Sequence, residues 1–328
     1  RITHSAEPAA QGLTMQLPLL LTTLTTQALL PSAAACSLQG VRNFRSVSRS
    51  LPELYRSGCL EQATDADAAH ILDSARIRTI IDLRNDDEIR KARDCATEFG
   101  QKLLMEFQHN SPVGHGCVAS EGTGCLSWHH VPLWANTDGF FDEVERRMSA
   151  VRKAEAAVYK SMSGKKYNQL LYDEVARGKQ QLLYTAMLKS GALDSWQKVL
   201  SLAADRSGGA VLINCAQGKD RTGLVSALLQ HAAGDSEDEI IEAYSMSEAL
   251  LALSEDADDS TADDAQAAAQ GGVDWSALRG SPPSAMRETL SWIRQEYGAI
   301  DYLLASMGCE NEWRKTLLAS GLSSNMAF

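Results

Sequence analysis

The chain has 328 residues, 44% of them apolar and 22% charged, with a formal net charge of −11. That length can bury a core as one large domain or two small ones, and the composition is ordinary for a soluble globular protein. The acidic balance excludes a broadly basic nucleic-acid-binding face and requires a local positive site for any anionic substrate.

The first expected unit is a leader, residues 1–37. Residues 8–41 carry no charge and are rich in Ala, Thr and Leu. Read from Met15 to Ala33-Ala34-Ala35, the stretch resembles a targeting segment. A flexible leader is the alternative, so the location stays open between cytoplasmic and organellar. Pro18 and several Thr make it too polar for a membrane span, and no transmembrane segment is expected.

From about Gly40 a folded domain is expected, running to residue 320 and followed by a short tail, 321–328. Thr64 can cap a helix over Asp65–Ala75. Ile77–Leu83 is β-branched and apolar, which predicts a buried strand. Asn85-Asp86-Asp87-Glu88 predicts a helix start with Glu88 reaching back. Lys102–Phe107 and His129–Leu133 are weaker strand candidates.

Phe140–Ala204 is rich in helix formers, and Gly164, Gly178 and Gly191 divide it into three or four helices. Ala210–Asn214 predicts a short strand, Thr222–Ala233 a helix, and Ser236–Glu239 a capping box opening a helix through about Leu253. Residues 254–272 carry six acidic side chains and no aromatic or large aliphatic one, so an acidic mobile insertion is expected. Helices resume at Pro283–Tyr297, Ala299–Met307 and Asn311–Leu318. Strands alternating with helices predict an α/β class with a central, partly parallel sheet flanked by helices.

Seven cysteines without regular spacing do not form a disulfide framework and suit a reducing compartment. Cys117 and Cys125, near His115, His129 and His130, match no zinc spacing, so no metal and no cofactor is expected.

The chemistry concentrates in Asn214-Cys215-Ala216-Gln217-Gly218-Lys219-Asp220-Arg221-Thr222-Gly223, between a predicted strand and a predicted helix. Five residues between Cys215 and Arg221 can curl so that their N–H groups make a nest for oxyanion oxygens. Gly218 supplies backbone freedom, the helix start adds its positive end, and Arg221 adds a planar fork of donors. A thiolate there can attack phosphorus and form a phosphocysteine. Thr222 can donate to the sulfur. Asp220 is the nearest general acid, with Asp82 and Asp138 as further candidates.

This loop resembles the signature of the protein tyrosine phosphatase superfamily. Gly218–Gly223 is similar to the GKDRTG loop of its atypical branch, which acts on tyrosine, serine and phosphoinositide phosphates. Gly40–Arg45, Leu54–Gly58, Ile80–Arg84 with Glu88, then Ile241, Tyr244 and Ser247, and Tyr297–Gly308 resemble other blocks of that family. The resemblance implies a Cys-based phosphatase fold without metal, with Cys215 as nucleophile, Arg221 binding phosphate and Asp220 as acid. It also implies substrate contacts from Ala216, Gln217, Gly218, Lys219, Thr222 and Asp82, with Lys219 associated with more highly charged substrates. Segment 140–190 lies where some relatives carry a lid. The implied partner is a phosphorylated protein or a phosphoinositide. Asn214 departs from the family's usual His, and Ser46 stands where an Asp often follows Asn-Phe-Arg. Asn214 keeps open a weakly active or inactive phosphate-binding pseudophosphatase. A sulfurtransferase or arsenate reductase loop would not call for the Lys-Asp-Arg-Thr run.

Overall fold

The computed structural model describes residues 38–92, 96–102, 115–120, 124–133, 137–255 and 278–319. The leader, most of the acidic insertion, the tail and the predicted strand from Lys102 (all but that residue) lie outside them. Among the described residues a six-stranded sheet carries the architecture. Its strands are β1 (Arg45–Ser48), β2 (Leu51–Ser57), β3 (Ile77–Asp82), β4 (His115–Ser120), β5 (Gly124–His130) and β6 (Ala210–Asn214). Their order is β1-β2-β6-β3-β5-β4. The four central strands β2, β6, β3 and β5 run parallel, and β1 and β4 close the edges antiparallel. The class is therefore α/β with helices on a mostly parallel sheet, as the alternation of strands and helices predicts.

The helices are α1 (Asp65–Ala69), α2 (Asp86–Ala92), α3 (Thr137–Arg147), α4 (Ala150–Met162), α5 (Gly164–Ser190) and α6 (Leu193–Ala204), then α7 (Asp220–Ala233), α8 (Glu237–Glu255), α9 (Pro283–Tyr297), α10 (Ile300–Ser306) and α11 (Asn311–Ala319). Local chemistry explains several boundaries. Thr64 and Asp67 form a reciprocal capping box on α1, and a π-helical turn over His70–Ser74 continues it. Asn85 N–H donates to Glu88 Oε2 at 2.9 Å, and Ser236 pairs with Glu239 ahead of α8. Gly164 and Gly191 bound α5. Gly178 does not end it, but the next residue, Lys179, leaves helical geometry at φ 51° and ψ −154° and kinks the helix.

β6 sits in the middle of the sheet, buried along its whole length. Strand side chains alternate between faces, so Val211 and Ile213 join one apolar cluster with α3 to α11, among them Tyr184, Trp196 and Tyr244. Ala210 and Leu212 join a smaller cluster on the other face with Phe44, Ile71, Ile80 and Trp128. Segment 140–190 thus covers one face of the sheet, with Leu182, Leu183, Tyr184, Ala186, Met187 and Leu188 buried. No helix among the described residues is long and apolar enough to cross a membrane.

Candidate active site

β6 ends at Asn214, between Ser57 of β2 and Asp82 of β3. In parallel sheets the carboxyl ends of the strands open the crevice where ligands bind. Cys215 stands at that end, nearly buried, and the chain turns through residues 216–219 into α7.

The turn is held from outside by its carbonyls. Ala216 C=O accepts from Cys59 N–H at 3.0 Å. Gln217 C=O and Gly218 C=O both accept from Asn43 Nδ2 at 3.0 Å. Gly218 C=O also accepts from Arg56 Nη2 at 2.7 Å. Lys219 C=O takes the Gly223 N–H at 2.9 Å. Successive carbonyls drawn outward turn the intervening N–H groups to the inner side, which is the arrangement of an anion nest. α7 begins without a side-chain cap, so its first N–H groups add to that concavity.

Gly218 is required here. Its φ is +67°, and a Cβ would lie 2.3 Å from the Ser57 carbonyl carbon and oxygen. Asn43, also at positive φ, is itself oriented. Arg45 Nη1 donates to Asn43 Oδ1, which leaves the Asn43 amide nitrogen for the loop carbonyls. Arg45 Nη2 is anchored by Ala243 C=O at 2.8 Å and Ser247 Oγ at 2.9 Å on α8. Burial pulls the Arg56 guanidinium down to about 10, while Cys215, Tyr184, Tyr244 and Asp220 each pull it back up. Those four groups therefore lie within electrostatic reach of it.

Arg221 lies in the first turn of α7, largely buried. Its Nη1 and Nη2 each donate to one Glu88 oxygen at 2.6 Å. Burial alone would lower its pKa. The Glu88 bonds and the neighbouring Cys215 outweigh burial and hold the guanidinium firmly charged. Glu88 is displaced the other way. Burial raises it, but the Arg221 bonds and charge bring it below the ordinary carboxylate value. An end-on pair of this kind uses one N–H from each Nη and leaves the Nε edge of the guanidinium for a second bidentate partner.

Cys215, Ala216, Gln217, Gly218, Asp220, Arg221 and Thr222 thus come together in one turn. The buried Thr222 hydroxyl has no hydrogen-bond partner among the described residues. Asp220 is partly exposed and accepts from Tyr184 Oη at 2.6 Å. Lys219 is oriented differently. Its side chain is buried, and Nζ donates to Leu278 C=O at 2.5 Å, Arg279 C=O at 2.7 Å and Gly280 C=O at 3.4 Å. Asp82 is buried beside Asn214, but both its oxygens accept from Arg84, at 3.0 Å on Oδ1 and 2.6 Å on Oδ2. Arg84 also holds Glu61 at 2.5 Å. Asn214 Oδ1 is buried without a partner among the described residues. The Asp138 side chain, and those of His115, Cys117 and Cys125, lie outside the described set. Among the described residues no cluster of three His, Cys, Asp or Glu could hold a metal.

Motif spacing does not point to Tyr184, and it gives Asn43, Arg45 and Arg56 no task; for Glu88 it predicts the helix cap but not the bond to Arg221. The signal of the first four is a buried side chain with a polar group beside the turn, visible only in three dimensions. The model of the tyrosine phosphatase family matches residues 36–322. No curated protein matches the chain.

Proposed function

The chain belongs to the tyrosine phosphatase family, and from that premise we propose that it hydrolyses phosphomonoesters through a phosphocysteine at Cys215, as a member of the family's atypical GKDRTG branch. What carries the reading is the turn after β6, with its carbonyls drawn outward from residues 216 to 218 and Arg221 clamped by Glu88. In this mechanism the nest amides and the free edge of Arg221 bind the three non-bridging oxygens. The Cys215 thiolate attacks in line. The S–P bond forms, the P–O bond to the leaving group breaks, and Asp220 delivers a proton to the departing oxygen. Water then attacks phosphorus and gives its proton to the Asp220 carboxylate. Orthophosphate and the thiolate are released, the latter with a hydrogen bond from the unpartnered Thr222 hydroxyl.

Substrates are phosphorylated proteins, on tyrosine or serine, or phosphoinositides. The engagement of Lys219 by three carbonyls weighs towards singly phosphorylated groups, because the N–H donors of that ammonium are already taken up by backbone oxygens. The unpartnered Oδ1 of Asn214 favours a second reading, a phosphate-binding protein of weak turnover. Hydrolysis of p-nitrophenyl phosphate decides between them. Cys215→Ser is expected to remove turnover by at least ~10³-fold while orthophosphate still binds. Wild-type protein that binds phosphate but does not turn over would leave the second reading.

A further inference from the structure

The helical segment meets the phosphate turn at Tyr184. Tyr184, in the part of α5 beyond the kink, is fully buried, and its hydroxyl lies 2.6 Å from Asp220 Oδ1 and 2.7 Å from Tyr244 Oη. Each hydroxyl has one proton to give. Tyr184 gives its proton to the carboxylate, so Tyr244 must donate to Tyr184, and the chain of donation runs Tyr244 to Tyr184 to Asp220. Burial, then the Asp220 charge, pushes the Tyr184 phenol well above its ordinary value, so it stays a donor. The remaining charges around Asp220 are Lys219, 3.9 Å from Oδ1, and Arg56 and Arg221, both of which feel the Asp220 charge.

We infer that Tyr184, backed by Tyr244, is a positioning residue that occupies Oδ1 of Asp220 and so assigns the transferable proton to Oδ2. This rests on the proposed reading of Asp220 as the general acid. A proton on Oδ1 would face the donating hydroxyl of Tyr184 and force both tyrosines to reverse. A proton on Oδ2 leaves the relay intact. The relay also limits rotation of the carboxyl group, which is otherwise part of the cost of bringing an acid onto its target. α5 contributes a second tie on the same side, since Gln180 Nε2 donates to Gly280 C=O at 3.0 Å, the carbonyl that also faces Lys219. One helix thereby sets the surroundings of both Lys219 and Asp220. In the first step Oδ2–H breaks and its proton passes to the leaving oxygen as S–P forms and P–O breaks. In the second, a proton from the attacking water returns to Oδ2.

The test compares kcat/KM on phenyl phosphate, a poor leaving group that needs the acid, with p-nitrophenyl phosphate, a good one that needs it little. The full chain is used as wild type, Tyr184→Phe, Tyr244→Phe and Asp220→Asn. Tyr184→Phe keeps the ring and is expected to lose about 10-fold on phenyl phosphate and less than ~3-fold on p-nitrophenyl phosphate. Inhibition by orthovanadate, which reads the nest and the thiolate and not proton delivery to a leaving group, is expected to stay unchanged. Tyr244→Phe is expected to act in the same direction more weakly, and it carries the test if the Tyr184 variant does not fold. Equal slowing of both substrates, or none, in the tyrosine variants while Asp220→Asn still discriminates between them overturns the inference and leaves the acid assignment standing. An Asp220→Asn variant that does not discriminate overturns both.

Discussion

Strands β3 and β6 run side by side in parallel and end level, Asp82 opposite Asn214. Each leads to a carboxylate that a motif singles out, Asp82 at the end of β3 and Asp220 at the start of α7. Asp82 is buried and accepts from Arg84 on both oxygens, with the Arg84 backbone N–H adding a further bond at 3.0 Å. Asp220 is partly exposed, and one tyrosine hydroxyl holds one of its oxygens. A carboxylate whose oxygens are both engaged by a buried guanidinium and a backbone N–H is fixed in its charged form and has no proton to lend. One held by a single hydroxyl keeps an oxygen with which to exchange protons. What separates the two carboxylates here is the number of bonds that the charged form already makes.

Replacing each by Asn should break the two regions in different ways. Asp220→Asn is expected to lower kcat/KM on phenyl phosphate by ~10²- to 10⁴-fold while shifting unfolding free energy by less than ~0.5 kcal/mol, as for a partly exposed side chain. Asp82→Asn leaves a buried guanidinium with Glu61 as its remaining carboxylate and should cost ~3–5 kcal/mol of stability. The fraction that stays folded should keep most of its rate. Urea melts and initial rates on the same preparations check both. An Asp82 variant as stable as wild type but dead in turnover would reverse the division of labour.

A smaller effect is expected at the joint between the two regions. Glu88 follows β3 and grips Arg221 from α7. Glu88→Gln keeps one oxygen acceptor but removes the second, so the guanidinium is no longer fixed in one plane. Orthovanadate binding should weaken by about 10-fold, equivalent to ~1.4 kcal/mol, with the melting midpoint little changed. Unaltered binding would mean that Arg221 is oriented by its own helix and not by Glu88.

The same contrast explains what could be read from the chain. β6 was legible to the residue, because Ala210–Asn214 is a run of apolar or neutral side chains bounded by Gly208-Gly209 and by the Cys215 turn. Pro283–Tyr297 was equally plain, with proline at its first position. β2 was not. Leu51–Ser57 mixes Pro52, Glu53 and Arg56 with apolar residues, because Arg56 is spent on a carbonyl 162 positions away. Spacing exposed Cys215, Gly218 and Arg221, which act within one turn. It could not show that Asn43 meets Gln217 across 174 positions, nor that the Lys219 ammonium turns towards residues 278–280. The expected strand His129–Leu133 shares only His129 and His130 with β5. The strand starts at Gly124, where polar and small residues hide the alternation.

The smallest effect expected is a difference in how the two carboxylates respond to acid. Burial tends to raise Asp82, but the charge and hydrogen bonds of Arg84 outweigh it, and its folded pKa lies below the ordinary aspartate value. A depressed folded pKa means that the unfolded chain binds its proton first. The stabilisation is therefore complete above the unfolded value of ~3.9 and is lost as pH falls through the folded one. Between pH 5 and 8 Asp82 should add nothing to the pH dependence of folding. Below about pH 4 the wild-type chain should lose stability faster than Asp82→Asn, and the gap between their urea midpoints should narrow. Glu88, also depressed by its arginine, acts in the same direction, so Glu88→Gln measured alongside separates the two contributions. A gap between wild type and Asp82→Asn that stays constant down to pH 2 would mean that Asp82 stabilises through shape and hydrogen bonding alone, and that its charge has no part in holding the end of β3 beside the turn.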